Sequence, residues 1–345
     1  MKLRQQTLNN VRRIVVKAGT GILTSDGSRL STAKIEPLIA QLAALRAQGK
    51  EVILVSSGAI AAGMATLNLK QRPKHVEQLQ ACAAIGQGKL MAAYDALFGK
   101  HDLNVAQVLL THDDLRSRNR HLNARNTLLQ LLADGVIPII NENDTVAVDE
   151  IKFGDNDRLS ALVATLVDAD LLVILSHVEG LWDADKKRIP VVPVVTREIE
   201  SLAGGTDRAT SVGGMKSKID SAKIVARAGI PLVIADGERT DVLAAILAAE
   251  DVGTLFLPKS ARLESRKRWI AFFQKPAGTL VVDDGAKRAL CDAGKSLLAK
   301  GVVSTEGKFA DGDVVSICGP DNVEFARGLA RTGDVVVHRD DLVIL

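Results

Sequence analysis

Residues 11–21 read VRRIVVKAGTG, a short apolar run that ends at a lysine and is followed by a glycine-containing turn. Apolar runs of strand length recur along the first 258 residues, and segments with apolar residues at helical spacing separate them. The later runs are 52–55, 105–110, 136–140, 171–175 and 232–235. Short strands that are apolar throughout and alternate with helices indicate a parallel sheet covered on both faces. The predicted fold class is therefore α/β, an α/β/α sandwich with a mostly parallel open sheet.

The composition changes at residues 259–272, where five basic residues stand against one acid, Glu264. Beyond this segment the chain consists of short apolar runs and turns rich in glycine and aspartate, which indicates a small β-rich domain. Polar, exposed segments of this kind are typical of domain boundaries. We therefore predict an α/β domain over residues 1–258, a basic joint over 259–272, and a β-rich domain over 273–345.

Composition and charge argue against several classes of protein. The longest apolar stretches are far shorter than the roughly 18 residues of a membrane-spanning helix, and the N-terminus shows no apolar signal core. Three scattered cysteines, Cys82, Cys291 and Cys318, argue against a disulfide framework and against structural zinc. A formal net charge of +3 over 345 residues is not the footprint of a nucleic-acid-binding chain. We expect a cytoplasmic protein with no membrane partner.

Polar residues follow the predicted strands at the points where the strands end, and two further polar clusters begin predicted helices. In open α/β sheets, ligands bind beyond the carboxyl ends of the strands, so these residues are the candidates for a site. The clusters are Lys17-Ala18-Gly19-Thr20, Ser56-Ser57-Gly58-Ala59, Asn141-Glu142-Asn143-Asp144, Gly154-Asp155-Asn156-Asp157, Ser176-His177 and Gly213-Gly214-Met215-Lys216-Ser217-Lys218. Several such clusters at one end of a sheet are difficult to explain by stability alone.

The pair Gly213-Gly214, with Lys216 and Lys218 beside it, suits an anion. Glycines let backbone N–H groups approach a phosphate, and the helix dipole adds positive potential. Lys17 is placed to meet the same anion from a strand end. No Walker A pattern occurs. Taken alone, each motif also has an ordinary structural explanation. Residues 213–218 could be a solvated helix start, and residues 155–157 could cap the helix that follows them. Their conjunction favours a nucleotide site.

The residue types favour phosphoryl transfer to a carboxylate. This transfer depends on positioning and on positive charge over the moving group, with little covalent help from the protein. A carboxylate acceptor, with a reference pKa of about 4.3, is ionised at neutral pH and needs no general base. The sequence contains no G-x-S-x-G motif and no metal-spaced histidine cluster. We therefore expect the substrate itself to supply the nucleophile.

Five motifs closely resemble those of the glutamate 5-kinase family, a branch of the amino acid kinase superfamily. They lie at residues 17–20, 57–63, 141–144, 154–161 and 213–215. Residues 266–270 and 337–341 are similar to the version of that family with a C-terminal PUA domain, so the resemblance covers nearly the whole chain. It implies ATP-dependent phosphorylation of the side-chain carboxylate of L-glutamate to L-glutamyl 5-phosphate, the first step of proline biosynthesis.

The resemblance also implies roles for individual residues. Lys17 and Lys218 are expected to stabilise the phosphoryl group in flight, with Asp157 orienting both lysines. The expected glutamate-binding residues are Ser57, Asp144, Asn156 and Asp155. The expected ATP-binding residues are Lys17, Ser176, His177, Val212, Gly213, Gly214, Met215, Lys216, Ser217 and Lys218. Magnesium (Mg²⁺) is expected through the phosphates of ATP, without a protein ligand.

The same resemblance implies partners. Proline is expected as a feedback inhibitor at or near the glutamate site, and a homo-oligomer is expected through the kinase domains. Functional coupling to glutamyl phosphate reductase is a further expectation.

The chain departs from the family pattern at two places. His177 stands where the family usually has an acid, which bears on the contacts of the nucleotide rather than on the reaction. The segment between Arg331 and Val335 is shorter than the PUA pattern, which normally carries an extra helix before the final strand. We therefore expect a shortened PUA-like domain.

Three alternatives remain open at this point. The nearest is another member of the superfamily, acting on aspartate, acetylglutamate, carbamate or a nucleotide, although residues 141–144 and 154–157 favour glutamate. A PUA-type RNA-binding protein is disfavoured, because residues 273–345 hold nine basic and eleven acidic residues, a poor surface for a polyphosphate. A non-catalytic sensor is disfavoured because both lysines and Asp157 are present.

Overall fold

The computed structural model describes residues 2–25, 29–147, 156–205, 214–258 and 264–345. The chain divides into two units, Met1–Ala261 and Arg262–Leu345. Each unit has a sheet and a hydrophobic core of its own.

The first unit is built on a sheet of eight strands. The strands of this unit are β1 (Arg13–Ala18), β2 (Thr24–Ser25), β3 (Arg29–Leu30), β4 (Glu51–Ser56), β5 (Val105–Leu110), β6 (Ile137–Glu142), β7 (Leu171–Ser176), β8 (Val191–Val192), β9 (Leu232–Asp236) and β10 (Thr254–Phe256). β2 and β3 pair with each other, and the other eight lie in the order β5-β6-β4-β1-β7-β9-β10-β8. All neighbours in this sheet are parallel except β9 and β10. The prediction of a mostly parallel open sheet is confirmed.

Helices connect these strands. They are α1 (Lys2–Leu8), α2 (Thr20–Leu23), α3 (Thr32–Ala47), α4 (Ala59–Thr66), α5 (Val76–Gly99), α6 (His112–Arg116), α7 (Arg118–Ala133), α8 (Asn156–Leu166), α9 (Arg197–Ser201), α10 (Met215–Arg227) and α11 (Val242–Leu247). A 3-10 turn at Leu202–Gly205 follows α9. Over the ranges that the structure covers, no helix combines the length and the apolar character that a membrane crossing requires.

The central strands are buried on both faces, which explains why their sequences are apolar throughout. Val52–Val55 of β4 have no exposed surface, and residues 14–16 of β1 are almost as well buried. Successive side chains of a strand point to opposite faces, so helices must cover both sides of the sheet. On one side, α3, α5 and α11 contribute Leu38, Leu90 and Ile246 to the core. On the other side, α8 packs against β1 and β7 and against α10.

Two glycines let α4 and α5 approach each other closely. A Cβ atom on Gly86 would lie 1.8 Å from the carbonyl oxygen of Ala59, and one on Gly63 would lie 1.8 Å from that of Cys82. Real side chains never sit so close to backbone, so only glycine fits at either position. This close approach brings the buried face of α5 up to the carboxyl ends of β4 and β6.

The first helix is held to the far edge of the sheet by one buried side chain. Arg4 is 3% exposed, and its guanidinium donates to four backbone carbonyls. These belong to Pro190, Glu250, Val252 and Gly253, at 2.7 to 2.9 Å. The guanidinium therefore ties residues at the start of the unit to the loop before β10.

The second unit is a six-stranded, mostly antiparallel sheet. Its elements are α12 (Ser265–Arg268), a π-helical turn (Trp269–Phe273), β11 (Gly278–Val282), α13 (Asp284–Cys291), β12 (Leu297–Leu298), a 3-10 turn (Ala299–Gly301), β13 (Val302–Gly307), β14 (Val314–Cys318), β15 (Glu324–Ala330) and β16 (Val335–Ile344). The strand order is β12-β16-β15-β14-β11-β13, and only β11 and β14 are parallel. The prediction of a β-rich second fold is confirmed. β15 and β16 are joined by four residues, 331–334, without a helix.

Candidate active site

The carboxyl ends of the central strands carry a buried carboxylate held between two lysines. Asp157, the second residue of α8, has no exposed surface. Its Oδ1 lies 2.6 Å from Nζ of Lys17, at the end of β1, and its Oδ2 lies 2.9 Å from Nζ of Lys218, in the first turn of α10. Ser217 also donates to Oδ2 from its hydroxyl, at 2.8 Å. Three separate elements therefore converge on one carboxylate.

The charges around Asp157 fix its ionisation. Burial alone would raise the pKa of this carboxyl, but the positive charges and hydrogen bonds of Lys17 and Lys218 outweigh burial and hold the pKa below its usual range. One carboxylate between two ammonium groups leaves a net positive charge at the strand ends. Such a site attracts anionic oxygens, and Asp157 cannot serve as a proton acceptor there because its oxygens are occupied by the lysines.

A second polar cluster surrounds Asn156, the residue before Asp157. Its Nδ2 lies 2.6 Å from the carbonyl oxygen of Ser56, 3.1 Å from Oγ of Ser57 and 2.9 Å from Oδ1 of Asn141. Ser57 directly follows β4, and Asn141 is the last residue but one of the neighbouring strand β6. Both are buried. Gly58, with a φ of +99°, turns the chain from Ser57 into α4, a conformation that favours glycine. The structure thus brings two of the predicted glutamate-binding residues, Ser57 and Asn156, into contact.

The third of these residues, Asp144, is half-buried and lines an adjoining pocket of about 290 Å³. Glu142, Asn143 and Gln87 line the same pocket. Asn141 links the two regions, since it contacts Gln87 on one side and Asn156 on the other. The fourth predicted glutamate-binding residue, Asp155, lies outside the described residues.

The residues predicted to bind ATP lie around the ends of β7 and α10. Gly214 is exposed and directly precedes α10, Met215 and Ser217 are half-buried, and Lys216 is exposed. Ser176 ends β7, and the exposed His177 follows it. The predicted residues Val212 and Gly213 lie outside the described residues.

The ring of His177 packs directly against Gly21. A Cβ atom on Gly21 would lie 2.0 Å from the imidazole. The histidine therefore faces the start of α2, which follows β1 and Lys17.

Sequence reasoning missed two polar residues beneath this site, Gln87 and Tyr94. Ser56 Oγ lies 2.7 Å from the hydroxyl of Tyr94, and Gln87 Oε1 accepts from Asn141 Nδ2 at 2.9 Å. Their positions in the sequence could have identified them, because Gln87 and Tyr94 interrupt the apolar stripe of α5 that includes Ala83, Leu90 and Leu97. A polar residue within a buried helical stripe indicates a partner elsewhere in the fold.

We compared the sequence with models of known protein families and the fold with solved structures. The model of the amino acid kinase family matches residues 12–236, and the model of the PUA domain matches residues 278–335. Among solved structures, carbamate kinase from Giardia lamblia bound to AMP-PNP superposes with a TM-score of 0.51 at 17% identity, over 72% of this chain and 99% of that one. This likeness concerns the fold alone. The chain belongs to the amino acid kinase family.

Two curated relatives show to which branch of this family the chain belongs. The glutamate 5-kinase of Pelobacter propionicus is 47% identical over 373 aligned positions, covering 99% of this chain and all of the relative. That of Burkholderia lata is 48% identical over 337 positions, covering 95% of this chain and 91% of the relative. Within the amino acid kinases, the chain is a member of the glutamate 5-kinase family.

Proposed function

We propose that this protein transfers the γ-phosphoryl group of ATP to the side-chain carboxylate of L-glutamate, forming L-glutamyl 5-phosphate for proline biosynthesis. The observation that carries the proposal is the buried Lys17–Asp157–Lys218 arrangement at the carboxyl ends of the strands, in a chain that is close to the glutamate 5-kinases over its whole length. Two ammonium groups held in place by one carboxylate suit a reaction in which charge moves between phosphate oxygens.

The chemistry requires no proton transfer. A carboxylate oxygen of glutamate forms a bond to the γ-phosphorus, the bond between that phosphorus and the bridging oxygen breaks, and the electron pair leaves with ADP. In this proposal Lys17 and Lys218 stabilise the transferring oxygens, and Asp157, which lies 2.6 and 2.9 Å from them, holds both ammonium groups before the substrates arrive. Because the substrate carboxylate is already ionised, no side chain has to act as a base.

We assign the ligands to the two sides of this centre. Ser57, Asp144, Asn156 and Asp155 bind glutamate, and Lys17, Ser176, His177 and the segment from Val212 to Lys218 bind ATP. Mg²⁺ accompanies ATP. We assign the ion to the phosphate oxygens of ATP, the way in which Mg²⁺ is commonly bound with nucleotides.

Further parts of the proposal concern domains and partners. The first unit carries the reaction. The basic segment 259–272 joins it to the PUA-like unit, which already includes α12 and the π-helical turn. That unit is shortened and does not bind RNA. Proline acts as a feedback inhibitor, and the protein forms a homo-oligomer in the cytoplasm, coupled to a glutamyl phosphate reductase. The support for these statements is the family resemblance, together with the acidic balance of residues 273–345.

Product formation with different acceptors tests the proposed function. ADP release is measured with ATP, Mg²⁺ and one of glutamate, aspartate, acetylglutamate or carbamate, and hydroxylamine is added to trap an acyl phosphate as the hydroxamate. We expect glutamate to be used and aspartate to be about a hundredfold poorer in kcat/KM, because a missing methylene moves its carboxylate by more than an ångström from the γ-phosphate. Equal rates with aspartate, or ADP release without hydroxamate, would contradict the assignment.

The His177→Asp variant tests the placement of His177 on the nucleotide side. The imidazole is exposed and contacts Gly21 rather than the cluster around Asn156. We therefore expect the KM for ATP to change by about two- to fivefold, the range of an exposed polar contact, and the KM for glutamate to stay unchanged. Steady-state kinetics with each substrate varied in turn gives both values. A loss of glutamate binding would place His177 in the other half of the site.

A further inference from the structure

Two polar side chains lie on the buried face of α5, beneath the strand ends that form the candidate site. Gln87 is 8% exposed and Tyr94 is 0% exposed. They are seven residues apart, two helical turns, and so they point in the same direction. Helix packing alone favours apolar residues at such positions.

Gln87 begins a chain of amide hydrogen bonds that ends at Asn156. Asn141 Nδ2 donates to Gln87 Oε1 at 2.9 Å, and Asn156 Nδ2 lies 2.9 Å from Asn141 Oδ1. Two backbone groups fix the orientation of both asparagines. The N–H of Glu142 donates to Asn141 Oδ1 at 2.9 Å, and the carbonyl of Ser56 accepts from Asn156 Nδ2 at 2.6 Å. A backbone N–H can only donate and a carbonyl can only accept, so neither amide can be reversed without losing a bond.

This orientation decides what the site offers to a substrate. The nitrogen of the Asn156 amide faces into the protein, and among the described residues none donates to its Oδ1. That oxygen can therefore accept from an ammonium group. The hydroxyl of Ser57 accepts from Asn156 at 3.1 Å, so its own proton stays available for a carboxylate. An amino acid carries both of these groups.

Stability does not explain why a glutamine occupies position 87. Its Nε2 is buried and finds no acceptor within the described part of the chain. A buried donor without a partner destabilises a fold, and an apolar side chain of the same size would avoid this cost. The amide instead serves as the hydrogen-bond acceptor for Asn141, through Oε1. Gln87 also lines the pocket that Asp144 lines, so it lies between that pocket and the cluster around Asn156.

We propose that Gln87 is a positioning residue for the amino acid substrate. It holds the amide of Asn141, and through it Asn156 and Ser57, so that the site presents an acceptor to the ammonium group and a donor to a carboxylate. The proposal rests on the proposed function for the identity of the substrate, but the hydrogen-bond chain itself can be tested without turnover.

Three variants separate positioning from structural support. Gln87→Met keeps the length and volume of the side chain but removes the acceptor for Asn141. We expect this variant to raise the KM for glutamate about tenfold. The KM for ATP and kcat should change by less than about threefold. Gln87→Glu restores an acceptor and should return the KM for glutamate to within about threefold of the wild-type value. Tyr94→Phe removes the other buried polar group of α5 and should lower the unfolding midpoint while leaving the KM for glutamate unchanged.

A second measurement follows the amides directly. We expect the side-chain NH₂ signals of Asn141 and Asn156 in NMR spectra to exchange slowly in the wild type and in Gln87→Glu, and faster in Gln87→Met. A wild-type KM for glutamate in Gln87→Met, equal changes in the KM for both substrates, or unchanged amide exchange would overturn the proposal. Inactivity of the wild type with glutamate would refute the proposed function instead, and amide exchange would still decide the role of Gln87.

Discussion

The Asp157→Asn variant is expected to lower kcat by about 10³- to 10⁴-fold. The asparagine keeps the shape of the side chain but removes the charge that holds Lys17 and Lys218 at 2.6 and 2.9 Å. One misplaced donor in a preorganised site costs about 10²- to 10³-fold, and here two donors lose their anchor, with effects that do not simply add. Steady-state ADP formation at saturating ATP and glutamate gives the change in kcat.

The same substitution should destabilise the fold, since two nearly buried ammonium groups would face each other without a carboxylate. Breaking a buried ion pair from one side costs about 3–5 kcal/mol, so thermal unfolding with and without ATP must accompany the kinetics. Asp168→Asn is the matched control, because Asp168 lies beyond the opposite end of α8 and pairs with Arg125 at 3.3 Å. That variant should retain nearly full activity. A folded Asp157→Asn enzyme with wild-type kcat would show that the lysines need no anchor.

Lys17→Met and Lys218→Met are each expected to lower kcat by about two to three orders of magnitude, equivalent to about 3–4 kcal/mol. Each lysine side chain is at most 10% exposed and its ammonium group is held by Asp157, so the charge acts in a poorly solvated site. The loss should appear in kcat rather than in KM, because the lysines are proposed to act on charge that develops during transfer. Kinetics at varied ATP and varied glutamate separates the two parameters.

Lys223→Met is the control for these variants. Lys223 lies further along α10 and pairs with Glu200 at 2.7 Å, away from Asp157. Its replacement should leave both kcat and KM near the wild-type values. A raised KM for ATP with an unchanged kcat in Lys17→Met or Lys218→Met would mean that the lysine binds only the ground-state nucleotide.

The central part of the fold could be predicted because its strands are buried on both faces. The middle of each of β1, β4 and β7 is therefore an apolar run, and β5 was predicted with the same bounds as those observed. The far edge of the sheet could not be predicted. β8 and β10 have two and three residues, too few for a periodic signal, and side chains distant in sequence, such as Arg4 and Arg188, hold the loop beside them.

The candidate site was predictable to the extent that its residues stand in motifs at strand ends. Lys17, Asp157 and Lys218 were expected together and are found together. The support beneath them was not expected, because Gln87 and Tyr94 belong to a helix whose pattern indicates only burial. Which buried polar group meets which strand end depends on how closely α4 and α5 pack, and that distance is a property of the assembled fold.

The anchorage of Arg4 sets the order in which the first unit can be completed during synthesis. Its four carbonyl partners belong to Pro190 and to residues 250–253, so the side chain of Arg4 lacks most of its hydrogen-bond partners until the loop before β10 has left the ribosome. At roughly 5–20 residues per second, that interval is on the order of tens of seconds. Throughout it, the inner strands can pair while the edge of the sheet stays open. We infer that the N-terminal helix is among the last elements of the first unit to be fixed in place.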